Sequence, residues 1–208
     1  MTIDPGSTAP ENIYKLMIGC IVPRPIAFVS TVSGEGARNL APFSFFTGIS
    51  AKPPIVCFCP TFLPDGAKKD TLRNVEQTGE FVVNVVSEAI AAQMNACSAD
   101  FPAEIDEFDV SGLTAIPSDV VKPPRVAESP VNMECRLIQV VNLSTGSLGG
   151  NLVIGEVVRF HVADELLSNF RIDPDKLNAI GRMGGPSYTR TRDRFNMERP
   201  KWRPKSEQ

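Results

Sequence analysis

The sequence has one histidine, His161, one tryptophan and two tyrosines among 208 residues. A single histidine excludes most histidine-based catalytic arrangements, and no GxSxG, HExxH or Walker motif occurs. The Rossmann GxGxxG fingerprint is also missing, so a nicotinamide nucleotide would not bind in a doubly wound domain. These absences favour a protein whose chemistry is supplied by a cofactor, and we expect no catalytic side chain.

Metal-binding and disulfide patterns are missing as well. The five cysteines are odd in number and show no CxxC spacing, and His161 forms no recognised metal-ligand spacing. We therefore expect no metal site, and we interpret Cys57 and Cys59, which would share one face of a strand, as small buried residues in a reducing compartment. His161 lies in an apolar segment, where a structural hydrogen bond is its expected role.

Long apolar runs and strong charge are also lacking. No run approaches the roughly 20 residues that a membrane-spanning helix needs, and the polar N-terminal stretch has no signal-peptide hydrophobic region. The formal net charge of −3 argues against general nucleic-acid binding. We expect a cytoplasmic protein with neither nucleic acid nor membrane as a partner.

The length suits one domain with a sizeable core. We predict a flexible N-terminal arm at residues 1–12, a single domain at 13–190, and a basic, proline-broken tail at 191–208. Residues 11–16 would form a short helical turn that leads to the first strand. The tail would be solvated or would contact a partner.

Residues 23–60 contain three short apolar runs, at 26–31, 42–50 and 55–59, which are rich in Phe, Val and Ile. Glycine and proline separate these runs, so the pattern predicts three buried strands. The Ser-Gly-Glu-Gly sequence at 33–36 is typical of a turn, and we expect the first two strands to form a hairpin.

Small polar side chains interrupt the second of these runs. Asn39 precedes it, Ser44 falls between its phenylalanines, and Thr47 and Ser50 follow them. A strand of this kind presents hydroxyls and free backbone groups beside flat apolar rings. Such a wall suits a flat ligand with a polar edge.

Lys68 and Lys69 stand just before a predicted helix start, with Asp70 or Thr71 as the N-cap. Free amides, the positive end of the helix dipole and two lysines together suit a phosphate. An ordinary capped surface helix with solvated lysines is the alternative, and this stretch alone favours that alternative.

The rest of the chain alternates strands with short helices. Residues 100–109 form a long acidic loop, which would be either a lid beside a site or a solvated linker. The other predicted elements are a strand at 80–86, a helix at 89–96, a long hairpin with strands at 131–143 and 151–163, and a helix at 173–180 capped by Asp173. A strand-rich chain of this size favours a β-barrel with helical appendages.

Five motifs occur in a characteristic order: RPIAFVST from Arg24, NLAPFSFF from Asn39, KKDT from Lys68, GEFVVN from Gly79 and RMGGPSY from Arg182. This set, which covers most of the chain, resembles the flavin reductase-like, FMN-binding split-barrel family. The resemblance implies a mainly β fold, an FMN-binding split β-barrel of Greek-key type with short flanking helices. It also implies FMN at a dimer interface and reduction of the flavin by NADH or NADPH.

The resemblance also assigns cofactor-binding residues, motif by motif. The first motif ends beside the flavin, the second lines the ring and ribityl chain, KDT lies on the phosphate side, and the last faces the open flavin. The residues so assigned are Ser30, Thr31, Asn39, Leu40, Ala41, Pro42, Phe43, Ser44, Lys69, Asp70, Thr71, Arg182, Gly185 and Tyr188. Gly181 stands where the family usually has a histidine, which is a departure from the pattern.

Two functions are consistent with this resemblance. The first is an NAD(P)H-dependent FMN reductase that supplies reduced flavin to a partner oxygenase or another acceptor. The second, which Gly181 favours slightly, is an FMN-binding electron-transfer or flavin-storage module with little reductase activity. A flavin-free structural barrel is a third hypothesis. We also expect a homodimer, because Pro23-Arg24-Pro25 and residues 182–188 suit contacts beyond one barrel.

Overall fold

The structure is a computed structural model that describes residues 1–202. It contains one seven-stranded antiparallel sheet, three two-stranded ribbons and five short helices. The strands are β1 (Ala27–Val32), β2 (Arg38–Phe43), β3 (Phe46–Ala51), β4 (Pro54–Phe58), β5 (Glu80–Val85), β6 (Ala115–Ile116), β7 (Arg125–Val126), β8 (Val131–Asn142), β9 (Asn151–Val162), β10 (Leu167–Ser168), β11 (Arg171–Ile172), β12 (Ile180–Arg182) and β13 (Tyr188–Arg190). The helices are α1 (Pro10–Cys20), α2 (Asp70–Thr78), α3 (Ala91–Ala96), α4 (Glu107–Ser111) and α5 (Pro174–Leu177).

The large sheet has the strand order β2-β1-β5-β8-β9-β4-β3. Its two end strands, β2 and β3, are consecutive in the chain, and only Ser44 and Phe45 separate them. Because two residues must join the two ends of a seven-stranded sheet, the sheet curls until its edges meet. The result is a barrel that is split at the Ser44–Phe45 corner, where the two edges are not paired.

The predicted hairpin of β1 and β2 is confirmed, with Thr31 opposite Asn39 and Ala27 opposite Phe43. The single strand predicted at 42–50 is wrong, because the chain leaves β2 after Phe43 and enters β3 at Phe46. Closure of the sheet, not a glycine or proline, sets that break. The long β8–β9 hairpin and the strand β5 agree with the prediction within one residue at each end.

The barrel interior is filled by aromatic rings. Phe43, Phe58 and Phe81 stack in series, with ring centroids 5.2 Å and 5.3 Å apart. A second apolar cluster lies outside the barrel, where Phe28 of β1 packs with Phe108 of α4. Strand β1 is therefore buried on both faces, which explains why its sequence is a continuous apolar run instead of an alternating one.

The helix boundaries differ from the sequence-based ones. Helix α2 begins at Asp70, its N-cap position is Lys69, and no side chain caps it, so the predicted capping role of Asp70 or Thr71 is wrong. Asp70 pairs instead with Arg73 one turn along the helix. Helix α1 starts at Pro10, inside the segment predicted as an arm, and is longer than the predicted turn.

Two later helices are shorter than predicted. The segment predicted as a helix at 89–96 begins with a turn of 3₁₀ helix, Glu88–Ile90, before α3. The helix predicted at 173–180 ends at Leu177, although Asp173 caps it as expected. Strand pairing with β13 takes over at Ile180, so Arg182 lies in a strand and not in a glycine-rich helix end.

His161 makes the structural hydrogen bond that was predicted for it. Its Nε2 lies 2.5 Å from a carboxylate oxygen of Glu134, which is fully buried on the neighbouring strand. The backbone N–H groups of Asp119, Val120 and Val121 also donate to Glu134. Burial opposes ionisation of Glu134, but these hydrogen bonds outweigh it and lower the pKa of the carboxyl.

The ligand atoms of Asp119, Glu134 and His161 lie within 4.8 Å of one another, so carboxylates do approach the histidine in space. The sequence reasoning, which considered spacing along the chain, missed this cluster. Both oxygens of Glu134 already accept hydrogen bonds within the cluster. The Glu134 oxygens thus hold the 119–121 backbone and His161 in place, and the three residues form a structural hydrogen-bond network.

The cysteines are all free. Cys57 is buried as predicted, whereas Cys59 is only partly buried. Cys97 and Cys135 are also buried, and Cys20 is exposed. No helix within residues 1–202 combines the length and the apolar character that a membrane crossing requires.

The start of the C-terminal tail is tied to the domain by ion pairs. Arg190 and Arg192 both contact Glu88, and Arg194 lies 2.5 Å from Asp175. The end of the tail, residues 203–208, lies outside the described residues.

Gly155 of β9 gives a test of the barrel packing. A Cβ at this position would lie 2.4 Å from Cζ of Phe81, inside the aromatic core. Gly155→Ala should therefore push the ring from its place and lower the free energy of unfolding by about 1–3 kcal/mol. Gly48→Ala is the matched control, because an added Cβ in that exposed strand meets nothing within 4 Å. Denaturant unfolding of the wild type and the two variants measures the three free energies of unfolding. Equal stability of the two variants would contradict this packing.

Candidate functional site

The main cleft lies along the edge strand β2, beside the split of the barrel, and has a volume of about 270 Å³. Strand β2 forms one wall, and the acidic segment that was predicted as either a lid or a linker forms the other. The lining residues are Tyr14, Ile18, Asn39, Ala41, Pro42, Phe43, Ser44, Phe45, Cys59, Thr61, Leu63, Lys69, Asp70, Thr71, Cys97, Ser98, Ala99, Asp100, Phe101 and Glu107. Since Asp100, Phe101 and Glu107 are among them, the lid alternative describes the acidic segment better.

Beneath the cleft, an amide network fixes the start of β2 against α2. The side-chain amide of Asn39 donates to Thr31 Oγ1 at 3.1 Å and to Thr71 Oγ1 at 2.9 Å. Asn74 donates to the same Thr31 oxygen at 3.0 Å. All four residues are buried, and their polar groups satisfy one another. The network therefore holds the first turn of α2 at one end of the cleft.

At this end of the cleft, the two lysines behave differently. Lys68 turns away to pair with Glu76 at 2.7 Å and does not line the cleft. Lys69 lines the cleft, and its ammonium lies 2.7 Å from Asp100 on the opposite wall. The expected pair of free lysines at the helix start is thus reduced to Lys69, which bridges the two walls.

At the other end of the cleft, a buried arginine holds the corner of the barrel. Arg24 is only 3% exposed, and its Nε donates to Ser44 Oγ at 3.2 Å. Its other nitrogens donate to the carbonyl oxygens of Ile18 at 2.6 Å, Ile21 at 2.9 Å and Met183 at 3.0 Å. Burial lowers the pKa of Arg24, but an arginine stays charged at this depth. Its side chain is therefore not a free contact surface, contrary to the expectation for Pro23-Arg24-Pro25.

A smaller cleft adjoins this corner and shares Tyr14, Pro42, Phe43 and Ser44 with the main cleft. Its far wall holds Arg182 and Tyr188, and the guanidinium carbon of Arg182 lies 4.4 Å from the centre of the Tyr188 ring. Gly185 lies in the turn between β12 and β13, where its φ of +60° suits glycine.

Besides Gly185, three residues assigned from the resemblance do not line either cleft. Ser30 is fully buried and donates to the Pro124 carbonyl at 2.5 Å. Thr31 lies one layer below, in the amide network. The Leu40 side chain points into the second apolar cluster. The structure brings the other eleven close to the two clefts, with Gly185 in the adjoining turn.

Glu107 is the most unexpected residue of the site. It is the first residue of α4, it is 7% exposed, and its Oε2 accepts the Leu40 N–H at 2.9 Å. Burial and the neighbouring Asp106 raise the pKa of this carboxyl, against the hydrogen bond from Leu40. In the sequence, Glu107 lies within IDEFD, where Asp106 and Asp109 are acidic as well. Nothing in this stretch distinguishes Glu107 from them.

Tyr14, Phe45 and Cys59 were also missed. Tyr14 lies on α1, Phe45 lies at the barrel corner and Cys59 directly follows β4. These segments come together only when the sheet closes into the barrel. An apolar helix face at residues 13–18 is the one sequence signal that could have indicated a packed role for Tyr14.

The cleft thus runs along β2 from a helix start that carries Lys69 to the corner held by Arg24. The six residues from Asn39 to Ser44 span roughly 16 Å at the rise of an extended strand. A cleft of this length with a basic end has the shape and charge that suit an elongated ligand with an anionic end.

The chain belongs to the family defined by the flavin reductase like domain, whose model matches residues 18–203. The predicted fold class, a mainly β split barrel with short flanking helices, is confirmed. Membership of this family places the chain among the flavin-related oxidoreductases.

Three solved structures are similar. Nitrilotriacetate monooxygenase component B from Bacillus cereus is 37% identical, with a TM-score of 0.91 over 95% of this chain and 98% of that chain. A 2-nitrobenzoate 2-nitroreductase from Pseudomonas fluorescens is 33% identical, with a TM-score of 0.88 over 98% of both chains. A Shewanella frigidimarina protein described as a flavin reductase with a split barrel domain is 22% identical, with a TM-score of 0.82 over 96% of this chain and all of that chain, which supports the fold alone.

Proposed function

We propose that this protein is an NAD(P)H-dependent FMN reductase, which passes reduced flavin or electrons to a partner oxygenase or another acceptor. The observation that supports this most is the pair of adjoining clefts along β2, with a basic helix start at the end of the main cleft and an aromatic, arginine-bearing wall in the smaller one. When bound, FMN supplies the hydride-accepting ring, so the chain's own work is to bind and orient.

The residues of the cleft fit the parts of FMN. At the start of α2, the first-turn amides and the Lys69 ammonium suit a phosphate. The Thr71 hydroxyl accepts from Asn39, so its own proton is available to an anion in the cleft. Pro42 and Phe43 give the flat wall for the ring, and Ser44 gives a hydroxyl whose position Arg24 fixes.

A second function, an electron-transfer or storage module with little reductase activity, is favoured by position 181. A Cβ at Gly181 would lie 3.0 Å from Cβ of Pro23 and 3.3 Å from Cγ2 of Thr189. A histidine at this position would therefore require Pro23 and Thr189 to shift. If the family histidine assists the nicotinamide, that help is missing from this chain.

The acceptor is also a matter of proposal. Similar structures are named as a monooxygenase component and as a nitroreductase. A partner oxygenase and a small nitro compound are thus the two acceptor classes to test first. A cytoplasmic location remains a prediction.

Anaerobic reduction separates the two functions. We expect the purified protein to be yellow, and the flavin released by heat to be FMN and not FAD, because the chain offers one phosphate-binding helix start. Adding NADH or NADPH without oxygen should bleach the oxidised-flavin absorbance through many turnovers of added FMN. A single slow bleaching of the bound flavin would favour the electron-transfer module, and a colourless protein that takes up no FMN would overturn both.

The phosphate assignment predicts a difference between two ligands. Lys69→Ala should weaken FMN binding roughly ten- to a hundredfold, the value of one hydrogen bond to a charged group. Riboflavin, which has no phosphate, should bind almost unchanged. Lys68→Ala is the matched control, because that lysine pairs with Glu76 and lies outside the cleft. Fluorescence titration of each variant gives the affinities, and equal losses for both ligands would remove the phosphate assignment.

We further propose a homodimer. Helix α1 exposes Tyr14 and Met17 by 41% and 47%, Ile21 directly after it is 48% exposed, and the edge strand β3 exposes Ile49 by 51%. Apolar side chains in such numbers at one helix and one sheet edge favour burial by a second copy. They also adjoin the cleft through Tyr14, so dimer and cofactor should be coupled.

Sedimentation tests the dimer directly. The FMN-loaded protein should sediment at twice the 22.6 kDa of the chain at micromolar concentration. Ile49→Asp places a charge on the exposed edge and should shift the protein toward the monomer with weaker FMN binding. A wild-type monomer under these conditions would refute the dimer.

A further inference from the structure

Glu107 has an acceptor atom that the fold does not use. One carboxylate oxygen, Oε2, accepts the Leu40 N–H. The other, Oε1, accepts no hydrogen bond from another residue within residues 1–202, although Glu107 is only 7% exposed. Among those residues, Asn151 Oδ1 is the one fully enclosed side-chain polar atom that lacks a partner. Glu107 Oε1 is therefore not sealed in the interior. Glu107 lines the main cleft and also a neighbouring cleft whose lining includes Arg38 and Arg73.

The surroundings do not neutralise this carboxylate. Arg38 is directed to Asp106 and to Asp109, and Arg73 pairs with Asp70. Lys69, the cation of the main cleft's basic end, contacts Asp100. No described cation contacts Glu107 within residues 1–202.

A buried carboxylate with an open acceptor is costly unless a donor reaches it. The position of Glu107 limits which donor can reach it. Glu107 accepts the backbone N–H of Leu40, and the residue before Leu40, Asn39, contacts the first turn of α2. Glu107 therefore faces the portion of the cleft just beyond the helix start and before the corner at Ser44. Another anion is excluded there by charge, whereas a neutral hydroxyl is a suitable donor.

We propose that Glu107 accepts a hydrogen bond from a hydroxyl of the polyol chain that joins the ring of the ligand to its phosphate. This assignment rests on the proposed FMN site and makes Glu107 a specificity-determining residue for flavins with a ribityl chain. The bond is charge-assisted, which makes it stronger than one between neutral groups.

Three flavins that lose one part at a time test the assignment. FMN has phosphate and ribityl chain, riboflavin has the ribityl chain alone, and lumiflavin has neither. Glu107→Gln keeps an oxygen for the Leu40 N–H and removes the charged acceptor. At a pH well above the usual carboxyl range, it should weaken FMN and riboflavin equally, by roughly five- to tenfold, and leave lumiflavin unchanged.

Glu104→Gln is the matched control, because it removes the same charge from an exposed residue of the same segment. It should leave all three affinities unchanged. A loss for lumiflavin in Glu107→Gln, or no loss for riboflavin, would overturn the assignment.

A wild-type measurement keeps the assignment testable if the variant does not fold. An isoalloxazine with a plain pentyl chain at N10 should bind at least fivefold more weakly than riboflavin, and equal affinities would overturn the role of Glu107. These outcomes differ from failure of the proposed function, in which the wild-type protein would bind none of the flavins.

Discussion

Among the described residues 1–202, Arg24 is a buried positive charge with no carboxylate partner, and it organises this barrel. The Arg24 guanidinium satisfies its donors with three backbone carbonyls and one hydroxyl, which come from helix α1, the barrel corner and the end of β12. A buried charge of this kind is tolerated only when such dipoles surround it. Two of the carbonyls lie at the C-terminal end of α1, where the negative end of the helix dipole favours a cation. The three segments must therefore meet at Arg24, and the site's outer end is fixed by that meeting.

The corner matters because the barrel is split there. Strands β2 and β3 are the edges of the sheet and are not paired with each other, so hydrogen bonds of the sheet alone do not hold the Ser44–Phe45 link. Arg24 holds Ser44 from the side, and the Phe43 and Phe58 rings hold the corner from within. The opened edge is also what exposes β2 as a wall. A closed barrel of the same strands would have paired that edge and left no cleft along it.

The elements that depend on local pattern could be predicted. Strands β1, β5, β8 and β9 are apolar runs bounded by turn residues, and the β8–β9 hairpin has a glycine-rich turn. The break between β2 and β3 could not be predicted, because neither Ser44 nor Phe45 interrupts a strand by itself. The same limit applies to the contact of Gly155 with Phe81, which are far apart in the sequence and meet only after the sheet curls. Of the site, Asn39 to Ser44 and Lys69 to Thr71 could be found, whereas Glu107 could not, since its role comes from one bond to Leu40.

The charge of the cleft differs between its basic end at Lys69 and the position of Glu107, so the two positions suit different parts of a ligand. The basic end has one ammonium, that of Lys69, and Asp100 already lies 2.7 Å from it. An anionic group that enters must therefore either share Lys69 with Asp100 or displace that carboxylate, and Asp100 is exposed enough for displacement to cost little. The first-turn amides of α2, which donate to no side chain within residues 1–202, would then provide much of the attraction for the anion. Glu107 lies one step further along β2, where its charge would repel an anion and would instead hold a hydroxyl. In the proposed site, a cation with free amides followed by a buried acceptor would thus orient an elongated ligand in one direction, with its anionic end at α2 and its ring at the corner.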